Sequence, residues 1–118
     1  MAKGLKKITT VDELDKIIKK SNKKPVFIFK HDVTIAESEE AYHIYIQFID
    51  ENQEDLMFAM VDVREYIEVS EEIVEILEIN HETPQLMLVM EEEVVWDDQQ
   101  NNITFDILTE VVNEFIFI

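Results

Sequence analysis

Three short, mostly apolar runs separated by segments with helical periodicity constrain the fold of this chain most strongly. The runs cover residues 26–29, 56–61 and 85–90. Apolar runs of this length, bounded by turn residues, are typical of strands buried on both faces. Between the first two runs, residues 35–50 place apolar side chains at three-and-four spacing, which predicts a helix. Strands that alternate with helices predict an α/β fold.

Four segments carry signals for the start of a helix. Thr10 and Glu13 have the spacing of a capping box, ahead of an apolar stripe. The acids at the start of the second segment suit the positive end of a helix. Ser70 is predicted to cap the third helix, and either Asn102 or Thr104 is predicted to cap the last.

The third strand is followed closely by residues 94–96, across the acidic turn 91–93. Such short spacing favours a hairpin. The order of elements then predicts an α/β sandwich with a mixed four- or five-stranded sheet and helices on both faces. We expect a single domain over residues 1–118, in which residues 1–9 form an N-terminal strand or an arm.

The charge of the chain is strongly asymmetric. Its 118 residues contain 10 basic and 27 acidic side chains, a net charge of −17. Residues 1–30 hold nine of the bases and three acids, a net +6, whereas residues 31–118 carry a net −23. Two interpretations stay open: the acids only keep the protein soluble, or they dock a basic partner.

Composition excludes several classes of function. A chain this acidic lacks the basic face that direct nucleic-acid binding requires. Because it has no cysteine, it has no disulfide, thiolate nucleophile, cysteine-ligated zinc or iron–sulfur cluster. No apolar run approaches the roughly 18 residues of a membrane span, and the N-terminus has no signal-like apolar stretch. We therefore expect a cytoplasmic protein that binds neither a cofactor nor a membrane.

Five stretches have the order and spacing of a known family: residues 25–31, Thr34, 81–85, 94–96 and 103–104. Together they resemble the monothiol bacilliredoxins, thioredoxin-fold redox proteins linked to bacillithiol. The resemblance extends over residues 8–115, with Phe-Lys-His at 29–31 and His-Glu-Thr-Pro-Gln at 81–85 as its most specific parts. It implies a thioredoxin-like fold, which agrees with the order of elements.

The same resemblance implies that the family's chemistry has been lost. The reactive cysteine of the family falls on Ile35, and the arginine that usually precedes its third helix falls on Ile67. The Asn-Gly hairpin turn of the family corresponds to Glu91–Glu92, whereas its cis-proline is retained as Pro84. Thiol–disulfide exchange requires a thiolate, which isoleucine cannot supply. We therefore expect a scaffold kept without its reaction, and no enzyme.

The residues that would surround the lost thiol form what we call the relict centre: Asp32, Val33, Thr34, Ile35, Thr83 and Pro84. In thioredoxin-like folds the backbone before the cis-proline pairs with an extended partner, which needs no thiol. The alternative is that Pro84 only shapes the entry to a strand. His31 and His81 flank the relict centre, and we expect hydrogen-bonding roles for them and no metal.

A second candidate region, the acidic surface, groups nine carboxylates in two clusters: Asp50, Glu51, Glu54, Asp55, Glu91, Glu92, Glu93, Asp97 and Asp98. Neither cluster has the spacing of a dedicated calcium loop. This surface is the expected docking face for a basic protein.

The leading hypothesis is a redox-inactive module that binds a protein through the acidic surface and the relict centre. The alternative is an inhibitor that mimics nucleic acid, whose carboxylates would lie in rows on one face. A weaker alternative is an enzyme with non-thiol chemistry, which requires a perturbed carboxylate or histidine in a cleft. A homodimer is also open, because the apolar end at residues 116–118 is suited to a sheet edge or a dimer interface.

Overall fold

The computed structural model describes residues 4–116, which form one sheet with helices packed on it. In chain order the elements are β1 Leu5–Lys7, α1 Val11–Lys20, β2 Val26–His31, α2 Ala36–Glu51, β3 Met57–Asp62, α3 Ile67–Leu77, β4 Gln85–Met90, β5 Glu93–Gln99 and α4 Phe105–Phe115. A short 3₁₀ turn, Gln100–Asn102, precedes α4. Among these residues no helix is long and apolar enough to cross a membrane.

The sheet has the strand order β1-β3-β2-β4-β5. β1, β3 and β2 run parallel, whereas β4 is antiparallel to β2 and β5 is antiparallel to β4. This arrangement confirms the mixed sheet that the alternation of strands and helices predicts. The first strand lies within the segment 1–9, where a strand or an arm was expected, and forms one edge of the sheet.

Helices cover both faces of the sheet because the central strands are apolar on both. Phe27 and Phe29 of β2 pack with α2 and α4. Val26 and Ile28, whose side chains point the other way, pack with α1 and α3. Every residue of β2 is buried, so the strand that ends at the relict centre lies in the middle of a rigid core.

Two of the three predicted helix caps are observed. Thr10 and Glu13 form the complete capping box of α1, and the hydroxyl of Thr104 accepts a hydrogen bond from the backbone N–H of Ile107 at 3.1 Å. The prediction for the third helix is wrong. α3 begins at Ile67 without a side-chain cap, and Ser70 is buried inside the helix.

The early start of α3 has a local cause. The carboxylate of Asp62, the last residue of β3, accepts hydrogen bonds from the backbone N–H groups of Arg64 and Glu65 at 3.0 and 3.3 Å. These bonds fix the turn that leads directly into the helix. The hydroxyl of Ser70 instead lies 3.4 Å from Nδ1 of His81, which is an exposed residue.

Several turns place acidic side chains in left-handed backbone conformations. Glu78 ends α3 with φ 52°, and Glu91 and Glu92 form the hairpin turn with φ 53° and 66°. Glycine or asparagine usually occupies such positions, but the single glycine of the chain is Gly4. Two successive positive φ angles are typical of the tight turn that joins two antiparallel strands.

The C-terminal apolar segment is only partly described. Ile116 is half-buried and packs against the core between the sheet and α4. Phe117 and Ile118, which belong to the predicted sheet-edge or dimer contact, lie outside the described residues.

Candidate functional site: the relict centre

The register of the sheet brings the two parts of the relict centre to the same end. His31 of β2 pairs with Asp62 of β3, and Lys30 pairs with Gln85 of β4. The loop after β2 and the Thr83–Pro84 segment before β4 therefore leave the sheet side by side. Arg64 and Glu65, which follow β3, lie at this end of the sheet as well.

Ile35 occupies the N-cap position of α2. Its backbone is extended, with φ −107° and ψ 124°, and it makes no side-chain cap. Its carbonyl accepts hydrogen bonds from the N–H groups of Ser38 and Glu39, both at 3.1 Å. A helix N-terminus stabilises an anion such as a thiolate. The N-terminus of α2 therefore keeps the geometry that stabilises an anion. The half-buried side chain of Ile35 is uncharged and gains nothing from it.

A buried carboxylate anchors the loop before Ile35. Asp32 Oδ1 accepts hydrogen bonds from the N–H and the hydroxyl of Thr34, at 2.9 and 2.6 Å. Arg64 Nε donates to both carboxylate oxygens of Asp32, at 2.9 and 3.0 Å. Burial alone would raise the pKa of Asp32, but the bonds from Thr34 and the arginine outweigh it and hold the pKa below its ordinary value.

His31 has the hydrogen-bonding role that the sequence favours. Its Nδ1 lies 2.7 Å from the hydroxyl of Ser38, within hydrogen-bond distance, and that hydroxyl accepts from the N–H of Asp32 at 2.9 Å. Burial lowers the pKa of His31, although the nearby Glu39 and Asp62 act in the opposite direction. Ser38 is fully buried, so no substrate reaches its hydroxyl. The pair therefore supports the loop and does not form a nucleophilic site.

The Thr83–Pro84 peptide bond is cis, as the family's cis-proline position implies. Pro84 is buried, and its carbonyl accepts from the N–H of Gln100 at 3.0 Å. Within residues 4–116, the backbone N–H and C=O of Thr83 have no hydrogen-bond partner. The backbone at this point is thus free to pair with an added strand.

Apolar side chains are exposed beside the relict centre. Val33 is 53% exposed and Ile67 is 58% exposed. Val33 lines a cavity of about 320 Å³ together with Tyr66, the neighbour of Ile67. The carboxylates of Glu39, Asp62 and Glu65 line the same cavity, with Lys7 as the one lysine, so the setting of the apolar surface is acidic on balance.

Lys30 and His81 form a second polar group on the α3 side of the relict centre. Lys30 is fully buried, and its Nζ lies 2.5 Å from His81 Nδ1. Burial lowers the pKa of Lys30 to about 8, against the opposing effect of Glu82. Burial, and then the charge of Lys30, lower the pKa of His81. Sequence reasoning singled out His81 but missed Lys30, as it also missed Arg64.

Seven of the nine residues of the acidic surface lie away from the relict centre. Residues 50–55 connect α2 to the start of β3, and Glu91–Glu93 turn from β4 to β5, so both groups lie at the opposite end of the sheet. Lysine and asparagine side chains of the α1–β2 segment contact them: Lys24 Nζ lies 3.1 Å from Asp55, and Asn22 donates to Glu92 at 2.6 Å. Asp97 and Asp98 differ, because they lie on the edge strand β5 opposite Met87 and Leu86, toward the relict end of the sheet.

The acids of the described chain do not form rows on one face. Exposed carboxylates occur on α1 and α3, which cover one face of the sheet, and on α2 and α4, which cover the other. Mimicry of nucleic acid predicts a one-sided array, so this distribution does not favour it. Among residues 4–116, no group of three or more histidine and acidic side chains is placed to hold a metal ion.

Comparison with known proteins now identifies the family. The model of the monothiol bacilliredoxin BrxC family matches residues 6–108. The chain belongs to the monothiol bacilliredoxin family. This member has no cysteine anywhere in its 118 residues, and Ile35 lies at the position that the resemblance assigns to the reactive thiol.

Solved structures confirm the thioredoxin fold. A thioredoxin-fold protein proposed to be an oxidoreductase has 24% identity and a TM-score of 0.80, with 91% of this chain and 92% of that one covered. The thioredoxin Mala s 13 of Malassezia sympodialis has 14% identity and a TM-score of 0.75, with 97% and 93% covered. Fasciola hepatica thioredoxin has 13% identity and a TM-score of 0.74, with 92% and 97% covered.

Proposed function

We propose that this chain is a redox-inactive bacilliredoxin that binds a basic protein through its relict centre. The observation that carries the proposal is Ile35 at the N-cap of α2, because it replaces the thiol while leaving the surrounding loop and cis-proline in place. A centre that keeps its recognition surface without its nucleophile is suited to binding and not to turnover.

Apolar contact is the first element of the proposed recognition. Val33 and Ile67 are both more than half exposed at the relict end of the sheet. Removing apolar surface from water contributes about 25 cal/mol per Å². A partner that covers these two side chains gains affinity at the position where a family member would present its thiol.

Backbone pairing is the second element. The N–H and C=O of Thr83, without partners among the described residues, support the addition of one extended segment beside Pro84. Main-chain hydrogen bonds of this kind supply affinity, and neighbouring side chains supply specificity.

Charge is the third element and defines the chemistry of the partner. Three carboxylates, of Glu39, Asp62 and Glu65, line the cavity beside Val33 against one lysine, Lys7. The nearby cation of Arg64 is paired with Asp32. The local field therefore favours a basic segment. The seven residues of the acidic surface at the far end of the sheet add long-range attraction for the same partner, and salt would weaken it.

The loss of chemistry is tested with Ile35→Cys. We expect the natural chain to reduce a mixed disulfide of bacillithiol no faster than the background rate. The thiolate of the variant is expected to attack that disulfide, to form a new mixed disulfide with one half and to release the other half as a thiol. Val95→Cys, on the exposed edge strand, is the matched control for a thiol away from a helix N-terminus. Turnover by the natural chain above background would contradict the proposal.

Binding is tested by affinity capture from lysate of the source cells with charge substitutions at exposed apolar positions. Val33→Glu is expected to lower recovery of a basic protein at least about tenfold, the equivalent of about 1.4 kcal/mol. Val95→Glu adds the same charge on β5, away from the relict centre, and is expected to keep the partner. Equal losses with both variants, or no loss with Val33→Glu, would contradict a binding role for the relict centre.

A further inference from the structure

The loop before the cis-proline is attached to the sheet by two side chains that lie opposite each other. Lys30 and Gln85 pair across β2 and β4 and so point to the same face. Lys30 Nζ lies 2.5 Å from His81 Nδ1, and Gln85 Nε2 donates to the carbonyl of Asn80 at 3.0 Å. Both contacts hold residues 80–83 against the core.

The attachment is built from groups that are not fully satisfied. Lys30 is fully buried, yet no carboxylate lies within salt-bridge distance of its ammonium group among the described residues. The amide oxygen Oε1 of Gln85 is buried without a hydrogen-bond partner in the same part of the chain. The pairing with His81 is thus the main compensation for the buried charge.

The protonation state of His81 decides whether this pairing is attractive. Neutral His81 offers the Nδ1 lone pair to the Lys30 ammonium group. Protonated His81 offers a second cation at the same distance, because Nδ1 then carries a hydrogen. Burial and the charge of Lys30 both lower the pKa of His81, which agrees with the neutral form in the closed loop.

Other charged groups around the pair are few. Glu82, on the same loop, opposes the lowered pKa of both Lys30 and His81. From α3, Ser70 contributes a hydroxyl 3.4 Å from His81, and Glu71 and Glu75 line the adjacent cavity of about 310 Å³. From β4 the group is the neutral Gln85. None of these acids lies within salt-bridge distance of the Lys30 ammonium group.

We propose that Lys30 and His81 form a proton-sensitive latch on the loop 80–83, which releases the docking edge at Thr83 when His81 is protonated. The latch deepens the proposed function, on which its consequence for binding rests. Acidification loosens the segment that must pair with the partner, so capture weakens at low pH. Ordering the loop again on binding costs conformational entropy.

The latch is tested on the isolated chain by NMR relaxation of the backbone amides of residues 80–83, which reports the mobility of the loop. We expect their order parameters to fall between about pH 8 and about pH 5, where histidine changes charge. The population of the released loop relative to the closed loop is expected to rise by up to about tenfold per pH unit below the ordinary pKa of His81. His81→Asn is the matched control, because its amide oxygen accepts from Lys30 and does not titrate. It is expected to remove the pH response.

A second variant separates the latch from simple unfolding. In Lys30→Met the protonated imidazole meets no cation, so the loop is expected to be more mobile than in the natural chain at neutral pH and insensitive to acid. The pKa of His81, measured from its ring proton shifts, is expected to rise relative to the natural chain. An unchanged acid response in His81→Asn, or no response in the natural chain, would overturn the latch. Neither result bears on partner binding, which the Val33 and Val95 variants test separately.

Discussion

Arg64 Nε donates to both carboxylate oxygens of Asp32, at 2.9 and 3.0 Å, and so joins the loop after β2 to the loop after β3. Asp32 is buried, whereas the arginine side chain is 61% exposed. The bond fixes the segment that carries Val33 and Ile35. It also neutralises the one carboxylate that is buried inside the relict centre.

Arg64→Ala is expected to lower the free energy of unfolding by about 1–2 kcal/mol, because it leaves a buried carboxylate with fewer hydrogen bonds. The pKa of Asp32 should rise accordingly, so the variant loses stability at a higher pH on acidification than the natural chain. Urea unfolding between neutral and acidic pH measures both effects.

Lys24→Ala is the control for this prediction, since it breaks the solvent-exposed pair with Asp55. Such pairs contribute about 0–1 kcal/mol. A larger loss of stability from Lys24→Ala than from Arg64→Ala would contradict the role assigned to the buried carboxylate.

Glu78 ends α3 in the left-handed conformation, with φ 52° and ψ 48°. Glu78→Gly is expected to raise the free energy of unfolding by about 1 kcal/mol, because glycine takes this conformation without a steric penalty. Glu75→Gly, at an exposed position inside α3, is expected to lower it by about 1 kcal/mol. Thermal or urea unfolding gives the two signs, and stabilisation of equal size by both substitutions would refute the backbone argument.

Lys30 is a cost to stability at neutral pH, since its pKa falls from 10.5 to about 8 on burial. The unfolded chain holds a proton that the folded chain releases between these values, so the contribution of Lys30 becomes more favourable as the pH rises through this window. Over the full window the change is at most about 3 kcal/mol. Lys30→Met should therefore be more stable than the natural chain near pH 7. This difference in the free energy of unfolding should shrink as the pH approaches about 10.

Comparing Lys30→Met with Lys20→Met, an exposed position on α1, isolates the effect of burial. The second variant is expected to follow the natural chain at every pH. If Lys30→Met were less stable than the natural chain at neutral pH, the bond to His81 would outweigh the burial of the charge.

Much of the fold could be predicted because local pattern and final burial agree in it. The fully buried strand β2 is an apolar run in the sequence, and the capping box at Thr10 is complete within four residues. β1 was only an open alternative, since two of its three residues are exposed lysines. The predicted start of α3 was too late in the sequence, because Ser70 has the residue type of a helix cap but is buried inside the helix.

The site could be predicted only in part, because its contacts join distant parts of the chain. The resemblance located Ile35 and Pro84, which a motif can identify. The partners of the relict centre depend on register: Arg64 is 32 residues from Asp32, and Lys30 is 51 residues from His81. Neither pair has a spacing signal, and nothing in the sequence indicates that Lys30, directly after an apolar run, is buried.

Photo-crosslinking in the source cells tests the central claim most directly. A crosslinking residue replaces Val33 at the relict centre or Val95 on the far edge strand, both exposed apolar positions. We predict that the crosslinker at position 33 forms one discrete adduct with a basic protein. The adduct is expected to disappear when the same chain also carries Thr83→Pro, which removes a backbone donor. An adduct that forms equally from position 95, or only from position 95, would contradict a binding role for the relict centre.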